Sequence, residues 1–169
     1  MIKIDMFSTA DQVKGQGVGS VYDELMAMLR HYFKSEFKIV VNRYTRADIS
    51  HYHTINFSFY LSTFSKRRGL KIGFVHFLPE TLDDSLKLPR FFKFFFYRYV
   101  IAFYKRMDRL VVVNPAFIPK LVAYGIPRSR ISYIPNFVSK REFYPVSRER
   151  KLALRQEYHY PVHRFTVLG

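Results

Sequence analysis

Three histidines stand where short apolar runs end. His51 and His53 close the run that starts at Ile49, and His76 follows Lys71–Val75 and leads into Phe77-Leu78-Pro79-Glu80. An imidazole can donate, accept or bind a metal near neutral pH, so its position decides its use. His51-x-His53 in a strand would face one side, yet no acidic partner follows at ligand spacing, and no metal is expected. His76, with Glu80 close behind, is the better candidate for hydrogen bonding to a sugar or another acceptor. A second group is Gly15-x-Gly17-Val18-Gly19, between an apolar run and a helical pattern. Free backbone N–H groups at such a helix start suit phosphate or another anion. The spacing is not the dinucleotide fingerprint, and Lys14 precedes the glycines, so it is not a Walker loop.

The third group is Lys87 to Arg106, where Phe and Tyr alternate with Lys and Arg. On a helix, Phe92, Phe96, Tyr99, Val100 and Phe103 share one face, the natural core side. Lys87, Arg90, Arg98, Lys105 and Arg109 cluster opposite, with Phe91, Phe94 and Ile101 among them. Rings exposed in a cationic field are what an interfacial helix presents to anionic lipid. Arg90, Phe91, Lys93, Phe94, Arg98, Lys105 and Lys87 are therefore candidate membrane contacts. Single-stranded nucleic acid would use similar chemistry, but it asks for a groove or a sheet platform rather than one helix.

These groups need a scaffold. Apolar runs at Ile2–Phe7, Lys38–Asn42, Ile49–His51, Lys71–Val75, Arg109–Val113 and Ile131–Ile134 alternate with helical patterns at Val18–Tyr32, Asn56–Lys66, Leu86–Met107 and Pro115–Ala123. Short strands apolar on both faces predict an α/β fold, a parallel sheet with helices on both faces. In such a sheet the carboxyl ends of the strands form the ligand crevice, which is where the glycines and the histidines fall. The chain has 169 residues, enough for one ordinary domain. Residues 1–144 read as that domain. Residues 145–169 read as a linker followed by a strand at Arg164–Gly169, the first of a further α/β unit.

A formal charge of +15, from 28 Lys and Arg against 13 Asp and Glu, asks for an anionic partner. No cysteine is present, which excludes disulfides, thiol nucleophiles and Cys-based zinc sites within these residues. The first residues read as a strand rather than a secretory signal, and no uncharged apolar run approaches the ~20 residues that span a bilayer. A soluble or peripheral protein is expected.

Four stretches carry a resemblance: Gly15-Gln-Gly-Val-Gly-Ser-Val-Tyr22, Asp48-Ile-Ser-His-Tyr-His-Thr54, Val75-His76-x-x-Pro79-Glu80, and Gly125-Ile-Pro-x-x-Arg-Ile-Ser-Tyr-Ile-Pro-Asn-Phe-Val138. Together they resemble the N-terminal half of retaining GT-B glycosyltransferases of the family-4 group, which includes glycosyldiacylglycerol and phosphatidylinositol mannoside synthases. The opening Met1–Ser8 is similar to enzymes that add a hexose to monoglucosyl-diacylglycerol. Phe137 and Ser139 depart from the Gly and Asp usual in the family's element there. The resemblance implies a Rossmann-like acceptor half with a membrane-touching helix, and a second half that binds most of the sugar nucleotide. It implies a UDP-sugar donor, a glycolipid acceptor, an anionic membrane at the cytoplasmic face, no cofactor and no nucleic acid. It places Gly15, Gly17, Val18, Gly19, His53 and Glu80 near the donor phosphates or the acceptor, and His76 beside the reacting sugar. This chain alone is expected to be inactive. The alternatives are a basic nucleic-acid-binding module, against which no helix-turn-helix, RNA-recognition or zinc signature appears, and an anion-binding α/β protein without catalysis.

Overall fold

The computed structural model describes residues 1–10, 17–82, 89–136 and 144–166. The chain divides into two units, residues 1–137 and 138–169. In the first, six strands form one sheet: β1 (Ile2–Phe7), β2 (Phe37–Val41), β3 (Ile49–Tyr52), β4 (Leu70–Val75), β5 (Arg109–Val112) and β6 (Ile131–Tyr133). Their order is β2-β1-β3-β4-β5-β6 and every pairing is parallel. The six strands follow the apolar runs of the sequence, each within two residues at either end. His51 lies inside β3 rather than past it, because the strand runs on to Tyr52.

Side chains alternate between the faces of a strand, so the register sorts the core into two layers. One row runs Phe7, Tyr52, Gly73, Leu110 and Ile131 across five strands. It belongs to a large cluster completed by Phe59 of α2 (Phe57–Ser62), Val100 and Phe103 of α4 (Arg90–Lys105) and Leu121 of α5 (Phe117–Ala123). Gly73 is small for a reason: a Cβ there would stand 2.7 Å from Met107 Cγ. On the other layer, Ile4 and Met6 pack with Tyr22 and Met26 of α1 (Gly17–Tyr32). Helices thus cover both faces, as in a Rossmann-like fold. A short helix, α3 (Pro79–Leu82), precedes α4.

Two elements differ from the sequence pattern. The helix expected over Asn56–Lys66 stops at Ser62, and Lys66–Arg68 forms a separate 3-10 turn capped by Ser65. Arg68, the last of the three cations Lys66-Arg67-Arg68, is 2% exposed and donates to Asp5 at 3.2 Å. Asp5 is itself fully buried, and its other oxygen accepts from the Arg43 backbone N–H at 3.2 Å. The long helix begins at Arg90 after Pro89; the expected residues 86–88 lie outside those described.

In the second unit, α6 (Arg148–Glu157) starts at Ser147, whose hydroxyl accepts from the Arg150 backbone N–H. The Arg155 guanidinium donates to the Arg164 carbonyl at 2.7 Å. Residues 164–166 carry no strand, and 167–169, the rest of the strand expected there, lie outside the described residues.

Candidate functional site

After β1 the chain builds β2 on one side and β3 on the other, which makes the gap between β1 and β3 the switch point of the sheet. Open parallel sheets bind ligands there, beyond the carboxyl ends of the strands. The backbone at this edge is latched across three strands. Asn42, after β2, accepts from the Ser8 N–H at 3.1 Å and donates to the Ser8 carbonyl at 2.8 Å. Thr54, after β3, accepts from the Thr9 N–H at 3.0 Å. His53 N–H donates to the Phe7 carbonyl at 2.8 Å.

A cavity of about 280 Å³ opens at this edge. Its wall takes Val18 and Gly19 from the first turn of α1, His53 and Ile55 after β3, and His76 after β4. Tyr104 of α4 also reaches it, with its hydroxyl donating to the Phe77 carbonyl at 2.9 Å. Gly19 sits there because a Cβ would stand 3.3 Å from the Ala10 carbonyl oxygen. Much of the wall is apolar, so the two imidazoles are its main polar feature.

His53 and His76 end neighbouring strands and meet edge to face, with ring centroids 4.5 Å apart. Phe74 lies 5.3 Å from His53 and 5.1 Å from His76. His51, one pleat deeper, is 6.0 Å from His53. Burial lowers the pKa of all three. His51 falls to about 3, with His53 and His76 adding to the effect. His53 falls to about 4, although its bond to the Val18 carbonyl works the other way. His76 falls to about 3, helped by His53. At neutral pH each ring is therefore uncharged, with one N–H and one lone pair. The tautomer of His53 is set by its neighbour: Nε2 lies 3.2 Å from the Val18 carbonyl, so Nε2 carries the hydrogen and Nδ1 can accept. His53 Nδ1 and His76 Nε2 are buried with no hydrogen-bond partner. Both residues line the cavity, and these two unpaired nitrogens lie buried just behind its wall.

The structure thus brings Val18, Gly19, His53 and His76 together. Gly17 is the first residue of α1, and Gly15 lies outside the described residues. Glu80 stands apart from the cavity wall, exposed, and accepts from the Tyr124 hydroxyl at the end of α5. Tyr104 and the Thr54 latch were not singled out by the sequence, since a tyrosine in an aromatic helix and a threonine in a loop carry no local signal. Among the described residues no group of three His, Asp or Glu converges on a metal position.

On α4 the burial runs lengthwise rather than by face. Val100, Ile101, Phe103 and Tyr104 are buried, whereas Phe91, Phe92, Phe94 and Phe95 are all more than half exposed. Phe92, expected in the core, is 59% exposed, and Ile101, expected among the basic residues, is buried. The reason is position along the helix: the sheet-backed core reaches only its second half. Arg90, Arg98 and Lys105 are exposed and Lys93 is half-buried, while Lys87 lies outside the described residues. The Arg98 guanidinium stands 5.5 Å from the Phe94 ring centroid. No described helix is long and apolar enough to cross a membrane.

A parallel six-stranded sheet covered by helices, with a cavity at its switch point, defines an α/β protein of the Rossmann-like type. The chain belongs to glycosyltransferase family 4, whose sequence profile matches residues 13–142. It is 48% identical, over 99% of its length, to an alpha-galactosylglucosyldiacylglycerol synthase of Streptococcus pneumoniae. It covers 45% of that relative. Its fold matches Anabaena HepE, solved with UDP and glucose, with a TM-score of 0.65 at 14% identity over 94% of this chain and 50% of that one. A second structure of HepE, with UDP, matches with a TM-score of 0.60 over the same shares. The chain therefore spans about half the length of these relatives, and the solved structures show that it folds like one Rossmann-like half of a GT-B glycosyltransferase.

Proposed function

We propose that these residues are the acceptor- and membrane-binding part of a glycosyltransferase that moves a hexose from a sugar nucleotide to a membrane glycolipid. The donor is a UDP-sugar, the acceptor a glycosyldiacylglycerol such as monoglucosyl-diacylglycerol, and the transfer retains configuration. Residues 1–144 form the acceptor domain, and residues 145–169 lead into a second domain that holds the nucleotide. The protein works without a cofactor, as a peripheral protein of the cytoplasmic face of the cell membrane.

The observation that carries this reading is a coincidence at one sheet edge. Helices of a parallel α/β sheet run against the strands, so α4 comes onto the sheet from beyond the carboxyl edge: Tyr104, in its last turn, reaches the cavity, and its exposed first half extends past that edge. Its exposed rings would seat in lipid beside a pocket of the size of a sugar ring. A headgroup sugar could then enter while its acyl chains stay in the bilayer. The name of the 48% identical relative supports a glycosyldiacylglycerol as the product class, and the UDP in the HepE structures supports a uridine nucleotide.

Within this reading each residue has a definite task. The first turn of α1, at Gly17, Val18 and Gly19, offers N–H groups and the positive end of the helix dipole to donor phosphates. His53 backs the wall where the acceptor sugar sits, and its buried Nδ1 would accept from a sugar hydroxyl once the wall opens to it. His76 hydrogen-bonds the reacting sugar. Both rings must be neutral, because glycosyl transfer builds positive charge on the sugar and an imidazolium would oppose it. Burial supplies that neutrality. Positioning and leaving-phosphate stabilisation carry most of the rate, the latter shared with the second half of the protein. The test is the full-length protein with UDP-galactose, UDP-glucose and GDP-mannose against monoglucosyl-diacylglycerol, with the new anomeric centre read by NMR. Transfer from a UDP-hexose with retained α configuration is expected; turnover with GDP-mannose alone, or an inverted centre, would overturn the corresponding part.

A further inference from the structure

The sheet face that carries α4 carries a second exposed apolar strip. α2 is short and only half covered: Phe59 is buried, while Phe57 is 67%, Leu61 54% and Phe64, just beyond it, 56% exposed. Their positions are held firmly. The Asn56 side chain caps the helix, accepting from the Ser58 N–H at 2.9 Å. Tyr60 meets Tyr99 of α4 with centroids 5.5 Å apart, and the Arg106 guanidinium donates to the Thr63 carbonyl at 3.1 Å. These two contacts set α2 beside the second half of α4 and running the same way, on the sheet face from which the exposed first half of α4 extends.

Cations border the strip. Arg43, Arg46, Lys66 and Arg67 are all exposed. The β2–β3 loop and the 3-10 turn that bear them are tied together: Ala47 N–H donates to the Arg67 carbonyl at 3.1 Å, and buried Arg68 bonds both Asp5 and the Thr45 carbonyl. No Asp or Glu occurs anywhere in residues 49–79, and none in 85–107. Asp48 is the exposed acid of the β2–β3 loop, and its carboxylate accepts from the Lys3 N–H; cations otherwise border both apolar strips, which makes them complementary to an anionic lipid surface.

We propose that α2 and the turn after it form a second lipid-contact element. Phe57, Leu61 and Phe64 enter the acyl boundary of an anionic bilayer while Arg43, Arg46, Lys66 and Arg67 lie at headgroup level. This inference rests on the reading of α4 as a membrane helix and widens its footprint from one helix to two. Nucleic acid fits the surface poorly. Stacking needs open ring faces, and Arg106 already covers Phe64 at 4.1 Å from its centroid, as Arg98 covers Phe94 at 5.5 Å. A second copy of the chain would set basic rim against basic rim.

The test uses the full-length protein and vesicles of pure phosphatidylglycerol or pure phosphatidylcholine across a salt series. Three proteins are compared: the unaltered chain, the triple variant Phe57→Ser, Leu61→Ser, Phe64→Ser, and the α4 variant Phe91→Ser, Phe94→Ser. The triple variant is expected to bind phosphatidylglycerol vesicles at least about tenfold more weakly at high salt, where burial of apolar area dominates. Its thermal midpoint should match the parent, since all three side chains are exposed. A polarity-sensitive dye on Leu61→Cys, in a background without other cysteines, should shift to the blue on these vesicles. If the triple variant binds like the parent while the α4 variant is weakened, or if the dye does not shift, the α2 proposal is wrong and the α4 reading stands. If the parent ignores the vesicles, or binds single-stranded RNA in their place, both fall.

Discussion

Three neutral histidines set close together at one sheet edge make the domain sensitive to acid, and the size of the effect follows from their placement. In the unfolded chain each titrates near 6.5; in the folded one His51 and His76 hold out to about 3 and His53 to about 4. Between those values the unfolded state binds more protons, so stability is full above about pH 6.5 and is lost as the pH falls through the window. At about pH 5 each histidine that stays neutral costs about 2 kcal/mol, since one pH unit is worth about 1.4 kcal/mol. The three together approach about 6 kcal/mol, comparable with the whole stability of many domains. The informative substitution is His51→Leu, because His51 lies outside the cavity lining, stacked on Phe74 at 5.5 Å, with an unpaired buried Nε2. Urea unfolding of the full-length protein at about pH 7 and about pH 5 should show His51→Leu losing about 2 kcal/mol less than the parent over that interval. Histidine NMR on the folded protein gives the direct check. Equal acid losses in parent and variant, or a folded-state pKa near 6.5 for His51, would refute the reasoning.

Other expectations follow from the same geometry. His76→Ala in the full-length protein should lower kcat/KM about 10²-fold or more, the size of a lost transition-state hydrogen bond, with little change in thermal midpoint. Arg68→Ala leaves Asp5 buried and without its ion pair, and should destabilise by about 3–5 kcal/mol in urea unfolding. Replacing both partners, Asp5→Leu with Arg68→Met, should recover much of that loss. Tyr104→Phe removes the donor to the Phe77 carbonyl on the cavity wall and should cost about 1 kcal/mol of stability. Phe91→Ser with Phe94→Ser should abolish the salt-resistant part of binding to phosphatidylglycerol vesicles and spare the salt-sensitive part.

The strands were legible because strands covered on both faces are mostly apolar, broken only by single polar residues such as Lys3, Asp5 and Lys38, and because glycine or a polar loop ends most runs. That reading also placed His53 and His76 at one edge before any coordinates. The helices were less legible. α4 is aromatic all round, so no periodicity marks which rings meet the core; only its overlap with the sheet separates buried Phe103 from exposed Phe92. Arg68 sits in a run of three cations whose first two are solvated, and its partner Asp5 lies 63 residues away, beyond any local pattern. The Val18 carbonyl that fixes the His53 tautomer is backbone, which a sequence does not announce. The exposure of Phe57, Leu61 and Phe64 was hidden for the opposite reason. In an 18% aromatic chain, two more rings and a leucine look like core.

The central claim, that this fold passes a hexose to a membrane glycolipid, is tested most directly by following a radiolabelled sugar. Full-length protein is mixed with UDP-hexose and phosphatidylglycerol vesicles containing monoglucosyl-diacylglycerol, and the label is partitioned between water and lipid. Label should pass into a lipid one hexose heavier than the acceptor, and His76→Ala should slow that passage. Label that stays in the aqueous phase with every UDP-hexose, while the protein is folded and bound to the vesicles, would contradict the account.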